Sequence, residues 1–198
     1  SEKMSAGIVT ELADLRMAEA KFAVDFQTIP DKSGLPLGDE RVAFNDSGFD
    51  QVEFLLAPNL GEGLKPLVKV ASGGETSRMM LALKNILARA DEVPSLIFDE
   101  IDQGIGGRIG MVVGEKLWQL GQQHQVFCVT HLPQLAAFGD QHLKVQKSLQ
   151  DGRTLTHVEP LENDARLLEL AQMLGDVGDG TLRSAHEILQ AAQTIKTK

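Results

Sequence analysis

The stretch SLIFDEIDQGIGG (95–107) places Asp99, Glu100 and Asp102 directly after a short apolar run. Three carboxylates so close together repel one another unless solvent, a cation or hydrogen-bond donors compensate. In parallel α/β folds the C-terminal edge of the strands is where ligands collect. An Asp-Glu pair at that edge is the Walker B arrangement: the first carboxylate holds Mg²⁺ through water, and the second polarises the water that attacks a γ-phosphate. Alone the pair says little, because many strands end in solvated acids. A second apolar run ends at VTHLPQ (129–134), with His131 just past it. If the two runs are neighbouring strands, His131 can reach the site of Glu100 and hydrogen-bond a phosphate. As a lone histidine it could equally cap the next helix.

A third element, SGGETSR (72–78), has the composition of an anion-binding turn. Ser72 can cap the following helix, and Gly73 and Gly74 let backbone N–H groups approach a ligand. The helix N-terminus favours negative charge. Glu75 is spaced to complete a capping box with Ser72, so the same residues also describe an ordinary capped helix. No lysine accompanies the turn, and G-x-x-x-x-G-K-[ST] occurs nowhere in the sequence. A phosphate bound here would need its cradle from elsewhere.

The elements that must position these residues follow from the pattern of apolar side chains. SLIF (95–98) and VFCV (126–129) are typical of buried parallel strands, with a helix over 107–121 between them. A helix is expected from Glu75 to about Ala90, with Leu81, Leu83, Ile86 and Leu87 on its apolar face and Met79 and Met80 as core filler. Arg78 on that helix is expected to pair with a carboxylate, approach a partner or make a plain surface ion pair, and Trp118 to serve packing. HLKVQK and RTLTHVE, joined by QDG, form a hairpin, and two helices (164–174 and 181–196) close the chain.

The N-terminal part is read differently. Ile8, Leu15 and Phe22 recur every seven residues, with Leu12 and Phe26 on the same stripe and Glu19 interrupting it. This predicts a helix over 1–27, either amphipathic on a core or the stub of a coiled coil. Residues 28–40, rich in proline and glycine, read as a linker. Val42 and Phe44, the turn NDSG, and Val52, Phe54 and Leu56 predict a hairpin, and LVKV (67–70) a short strand. Helices alternating with apolar strands indicate an α/β sheet.

The bulk numbers are those of a soluble globular protein: 198 residues, 42% apolar and 24% charged. The single cysteine, Cys128, permits no internal disulfide and fits a reducing cytosol. No apolar run approaches the length of a membrane span, and the opening SEKMSAGIVT has no signal-peptide core. A net charge of −9 argues against non-specific nucleic-acid binding by the whole surface.

Taken in order, SGGE, helix, apolar strand with Asp-Glu, D-x-G-x-G-G, helix, apolar strand and Thr-His resemble the signature loop, Walker B, D-loop and switch histidine of the ABC-type ATPases, and especially their SMC-like branch. ASGGETSRMMLALK, LIFDEIDQGIGGRIG and THLPQLAAFGDQHLKVQK narrow the resemblance to the RecN family of bacterial DNA repair ATPases, from about Val68 to Gly175. The broader signature commonly has leucine where this chain has Ala71. The resemblance implies the C-terminal lobe of an ABC/SMC-type P-loop head, with residues 28–198 as the lobe and residues 1–27 as the end of a returning coiled-coil arm. It implies ATP and Mg²⁺ as cofactors, Asp99 as metal ligand, Glu100 as general base and His131 as γ-phosphate sensor. Ser72, Gly73, Gly74 and Glu75 would contact a nucleotide held by a second head, and Asp102, Gly104 and Gly106 would form the D-loop across that dimer. The implied partners are the Walker A lobe of the same protein, a second head and, for the intact protein, DNA, in the cytoplasm at the nucleoid and with no membrane. Two other readings stay open: a chromosome-organising SMC-like head, and a non-enzymatic scaffold that binds DNA ends.

Overall fold

A computed structural model describes the chain except residues 71–72, 89–91, 151 and 198. It divides into two compact units, Ser1–Thr76 and Ser77–Lys198.

The first unit opens with α1 (Glu2–Asp14), which buries Ile8 and Leu12. The helix expected over 1–27 therefore stops early. Arg16 takes a left-handed φ of 65°, the Arg16 N–H donates to the Ala13 carbonyl, and the Met17 N–H donates to that of Leu12. This is a Schellman closure, with arginine where glycine is usual. Residues 21–27 form a strand, β1 (Lys21–Gln27), packed against α1. It pairs antiparallel with β4 (Gln51–Ala57), and the rings of Phe22 and Phe54 lie 5.6 Å apart. The expected linker holds β2 (Pro30–Leu37), which turns at Gly38 into β3 (Glu40–Val42). The hairpin expected between 42–44 and 52–56 is absent: β3 pairs with β2, while β4 lies between β1 and β5 (Lys65–Pro66). The NDSG turn does form, closed by reciprocal Asn45 and Gly48 backbone bonds. Residues 67–69 are a 3₁₀ turn rather than a strand.

Helix α2 (Gly73–Leu87) carries the chain into the second unit. Its core face holds Met79, Leu81, Ala82 and Leu83, all buried, whereas Met80 and Ile86 are exposed. Next come β6 (Ser95–Phe98), α3 (Gly107–Leu120) and β7 (Gln125–Cys128), with β6 and β7 parallel and Phe98 opposite Cys128. The short helix α4 (Pro133–Ala136) leads to a hairpin of β8 (His142–Gln150) and β9 (Arg153–Leu161). Two helices follow, α5 (Asn163–Leu174) and α6 (Asp179–Lys196), packed on each other. Trp118 packs against the buried cluster of Ala137, Phe138 and Ala192, as expected of a packing residue.

Glycine decides how α3 meets α4. A Cβ on Gly114 would lie 2.4 Å from the Phe138 ring, and one on Gly110 3.2 Å from Leu135. Arg166 of α5 closes the far end of α4. It donates to the carbonyls of Ala136, Ala137 and Gly139 at 3.0, 3.0 and 2.7 Å, satisfying groups that a helix end leaves open. Burial pulls the Arg166 pKa below its ordinary value, opposed by the charge of Asp140.

Candidate nucleotide-hydrolysis site

Because β6 and β7 are hydrogen-bonded neighbours running the same way, their C-terminal ends share one edge. The pairing continues one step past the strands, where the Val129 N–H donates to the Phe98 carbonyl at 2.9 Å. Asp99 and Glu100 follow one strand and Thr130 and His131 the other, so both groups stand at the same edge of the sheet.

Asp99 and Glu100 are exposed. The Glu100 N–H donates to Asp99 Oδ1 at 2.9 Å. Glu100 itself has a φ of 56°. A side chain in that left-handed region costs about 1–3 kcal/mol and persists only where its surroundings impose it. From α2, the Ser77 hydroxyl donates to the Asp99 carbonyl at 2.7 Å. Arg78 Nη1 donates to the Gln103 carbonyl at 2.9 Å, with a longer contact of 3.4 Å to that of Ile101. Arg78 is 7% exposed. It is therefore no surface residue; it fastens α2 to the loop after the acidic pair. Gly104 turns that loop with a φ of 72°, where any side chain would be strained. Gly106 precedes α3 in extended backbone with open space around its Cβ position.

Asp102 behaves unlike its two neighbours. Its side chain is 4% exposed, while the imidazole beside it is 73% exposed. Asp102 Oδ2 accepts from the Thr130 hydroxyl at 2.5 Å and from the His131 backbone N–H at 2.8 Å, and lies 3.0 Å from His131 Nδ1. The crowding of three carboxylates is thus relieved by donors for Asp102 and by exposure to solvent for Asp99 and Glu100. Beneath the edge, burial, helped by the charges of Asp102 and Asp99, pushes the Cys128 thiol up to about 12.

Of the signature residues, Ser72 lies outside the described residues. Gly73, Gly74 and Glu75 form the first turn of α2, with Gly73 exposed and Gly74 buried. Among the described residues no group of three or more His, Cys, Asp and Glu side chains is arranged to hold a metal. One exposed carboxylate is still a fitting contribution to Mg²⁺, which keeps several waters and takes one or two carboxylates plus substrate phosphates. Among the described residues no helix is long and apolar enough to cross a membrane. The tether of Asp102 to the Thr130–His131 turn and the clamp of Arg78 were not legible in the sequence. The only prior sign of the first was an acidic residue two places after the pair.

The fold is that of an SMC-type head. The chain superposes on a crystal structure of the Smc head domain with a coiled coil and joint from Pyrococcus yayanosii, with a TM-score of 0.56 at 20% identity, covering 86% of this chain and 29% of that one. A second Smc head, from Pyrococcus furiosus and bound to the C-terminal domain of ScpA, gives 0.51 at 21% identity, covering 87% and 37%. No family model matches the chain.

Within that class the chain matches the RecN proteins, of which it corresponds to the C-terminal part. It is 42% identical to DNA repair protein RecN of Bacillus subtilis over 202 aligned residues, 100% of this chain and 35% of that protein. Against RecN of Streptomyces coelicolor it is 40% identical over 98% of the chain, and against RecN of Vibrio cholerae 43% identical over 93%. The chain spans about a third of the length of these relatives.

Proposed function

We propose that this chain is the C-terminal lobe of an ATP-hydrolysing head of a RecN-like protein acting in DNA double-strand break repair and recombination. The observation that carries the proposal is the shared edge of β6 and β7, which sets an Asp-Glu pair and a Thr-His pair side by side. Similarity to RecN proteins along nearly all of this chain supports it.

In this reading ATP is sandwiched between two heads. The Walker A lobe of the same protein supplies the glycine-rich loop and lysine that this chain lacks. Asp99 holds Mg²⁺ through water, and the bound ion neutralises charge on the phosphates. Glu100 accepts the proton of the attacking water. His131 hydrogen-bonds the γ-phosphate. Ser72, Gly73, Gly74 and Glu75 form the signature turn that covers the γ-phosphate held by the opposite head, where the N-terminus of α2 favours an anion. Gly104 and Gly106 shape the D-loop across the dimer. Helix α1 (Glu2–Asp14) belongs to the end of a coiled-coil arm, and DNA binding belongs to the intact protein in the cytoplasm.

Two substitutions in the intact protein test this. Glu100→Gln retains both the side-chain shape and the left-handed backbone cost, and removes only the base. ATP binding should survive, and hydrolysis should fall by about 10² or more. The ATP-bound dimer should then accumulate. Ser72→Arg puts a bulky cation in the signature turn while leaving the Walker A pocket untouched. ATP should bind, but the heads should not close. Light scattering with ATP and Mg²⁺ should find the first protein associated and the second not. Identical association states would show that Ser72 faces no partner phosphate and only caps its helix.

A further inference from the structure

We propose that Asp102 is a positioning residue for His131 within its own head, rather than a group that reaches across the dimer; this rests on the hydrolytic reading of the site. Its carboxylate is buried, and Oδ2 accepts from the Thr130 hydroxyl at 2.5 Å and the His131 N–H at 2.8 Å, with His131 Nδ1 in ion-pair contact 3.0 Å away. The Thr130 oxygen passes the restraint on, accepting from the Leu132 N–H at 3.0 Å as the chain enters α4.

Fixing the turn would need only the first two contacts. The third falls on a ring that is otherwise 73% exposed, so packing does not place it. An ionised carboxylate accepts only, so the nitrogen facing it must carry the proton. Asp102 thereby selects the Nδ1–H form of His131 and leaves Nε2 as the ring atom available to a ligand. A buried carboxylate is screened less by water, so its attraction for a protonated ring nitrogen 3.0 Å away is strengthened. A flexible exposed histidine becomes a ring of fixed tautomer and direction, poised at the edge that carries Glu100.

The first test needs no substitution. In the intact protein labelled with ¹⁵N-histidine, the ring signals that vanish in His131→Ala belong to His131. In the neutral ring they should report the Nδ1–H tautomer; the Nε2–H tautomer would overturn the proposal. The second test compares steady-state ATP hydrolysis by the wild type, Asp102→Asn, His131→Ala and the double variant. Asp102→Asn should lower kcat at least about tenfold with KM within about twofold, and add nothing once His131 is alanine. Equal, multiplying losses in both backgrounds would mean that Asp102 acts elsewhere. If His131→Ala hydrolyses ATP at the wild-type rate, the phosphate-sensing role of His131 is lost. The tautomer then still decides whether Asp102 orients the ring.

Discussion

At the scale of single residues, the acidic edge divides by exposure. Asp99 and Glu100 keep their carboxylates in solvent, while Asp102 is enclosed by donors from the neighbouring strand's exit. Both aspartates lie near enough to Cys128 to raise its pKa, with burial the larger cause. The thiolate is the reactive form of cysteine, and a pKa of about 12 keeps it scarce at neutral pH. Cys128 should therefore resist iodoacetamide at pH 7.5 in the folded protein and react readily in guanidinium. Rapid alkylation of the native protein would contradict the half-buried, anion-flanked setting. Asp99, Glu100 and His131 were legible as candidates because their chemistry shows in residue type and in position after an apolar run. The left-handed φ of Glu100 and the inward turn of Asp102 were not, because both depend on what lies across the sheet.

At the scale of elements, the second unit was far more readable than the first. Both parallel strands, the hairpin of 142–161 and the helices around them fall within a few residues of the pattern. Long apolar periodicities and a QDG turn leave few alternatives there. Among residues 1–70 the pattern misleads for a physical reason. Phe22 and Phe26 continue a seven-residue stripe from Ile8 and Leu15, but Phe22, Val24 and Phe26 also alternate with period two. The reversal at Arg16 decides for the strand, and arginine gives no warning of a left-handed turn. The pairing of β4 with β1 instead of β3 is non-local, and local patterns do not encode it.

Glycine at the α3–α4 contact yields a sharper expectation. Gly114→Ala would drive a methyl group to 2.4 Å from the Phe138 ring. Overpacking of this kind costs about 1–3 kcal/mol. For a chain of this size, each kcal/mol lowers Tm by about 2–4 °C. Gly106→Ala is the internal control: its φ is −126° and nothing lies within 4 Å of the added carbon, so Tm should hold. Equal melting of the two variants in a thermal scan would mean that α4 does not pack on α3 as described.

At the scale of the whole molecule, the parallel pair exposes one face. Leu96 and Phe98 point inward at 9% and 4% exposure, whereas Ile97, Phe127 and Val129 on the other face are 75%, 45% and 60% exposed. Parallel sheets are normally covered on both faces. Covering such side chains contributes about 1.5–3 kcal/mol each. The chain spans about a third of its RecN relatives, so much of a RecN-length protein remains to cover that face. If the Walker A lobe does so, then under the proposed function this chain alone would carry the water-activating side of the site without the phosphate cradle. The purified 198-residue chain should then show no Mg²⁺-dependent ATP turnover above background. Mixing it with the separately produced Walker A lobe should restore turnover, and Ile97→Lys should block the restoration by placing a charge in the interface. Two outcomes would overturn the assignment of this chain as one lobe of a head completed by a Walker A lobe. One is turnover by the chain alone that Glu100→Gln abolishes. The other is restoration that Ile97→Lys leaves intact, which would mean that the bare face of β6 and β7 is not where the missing lobe docks.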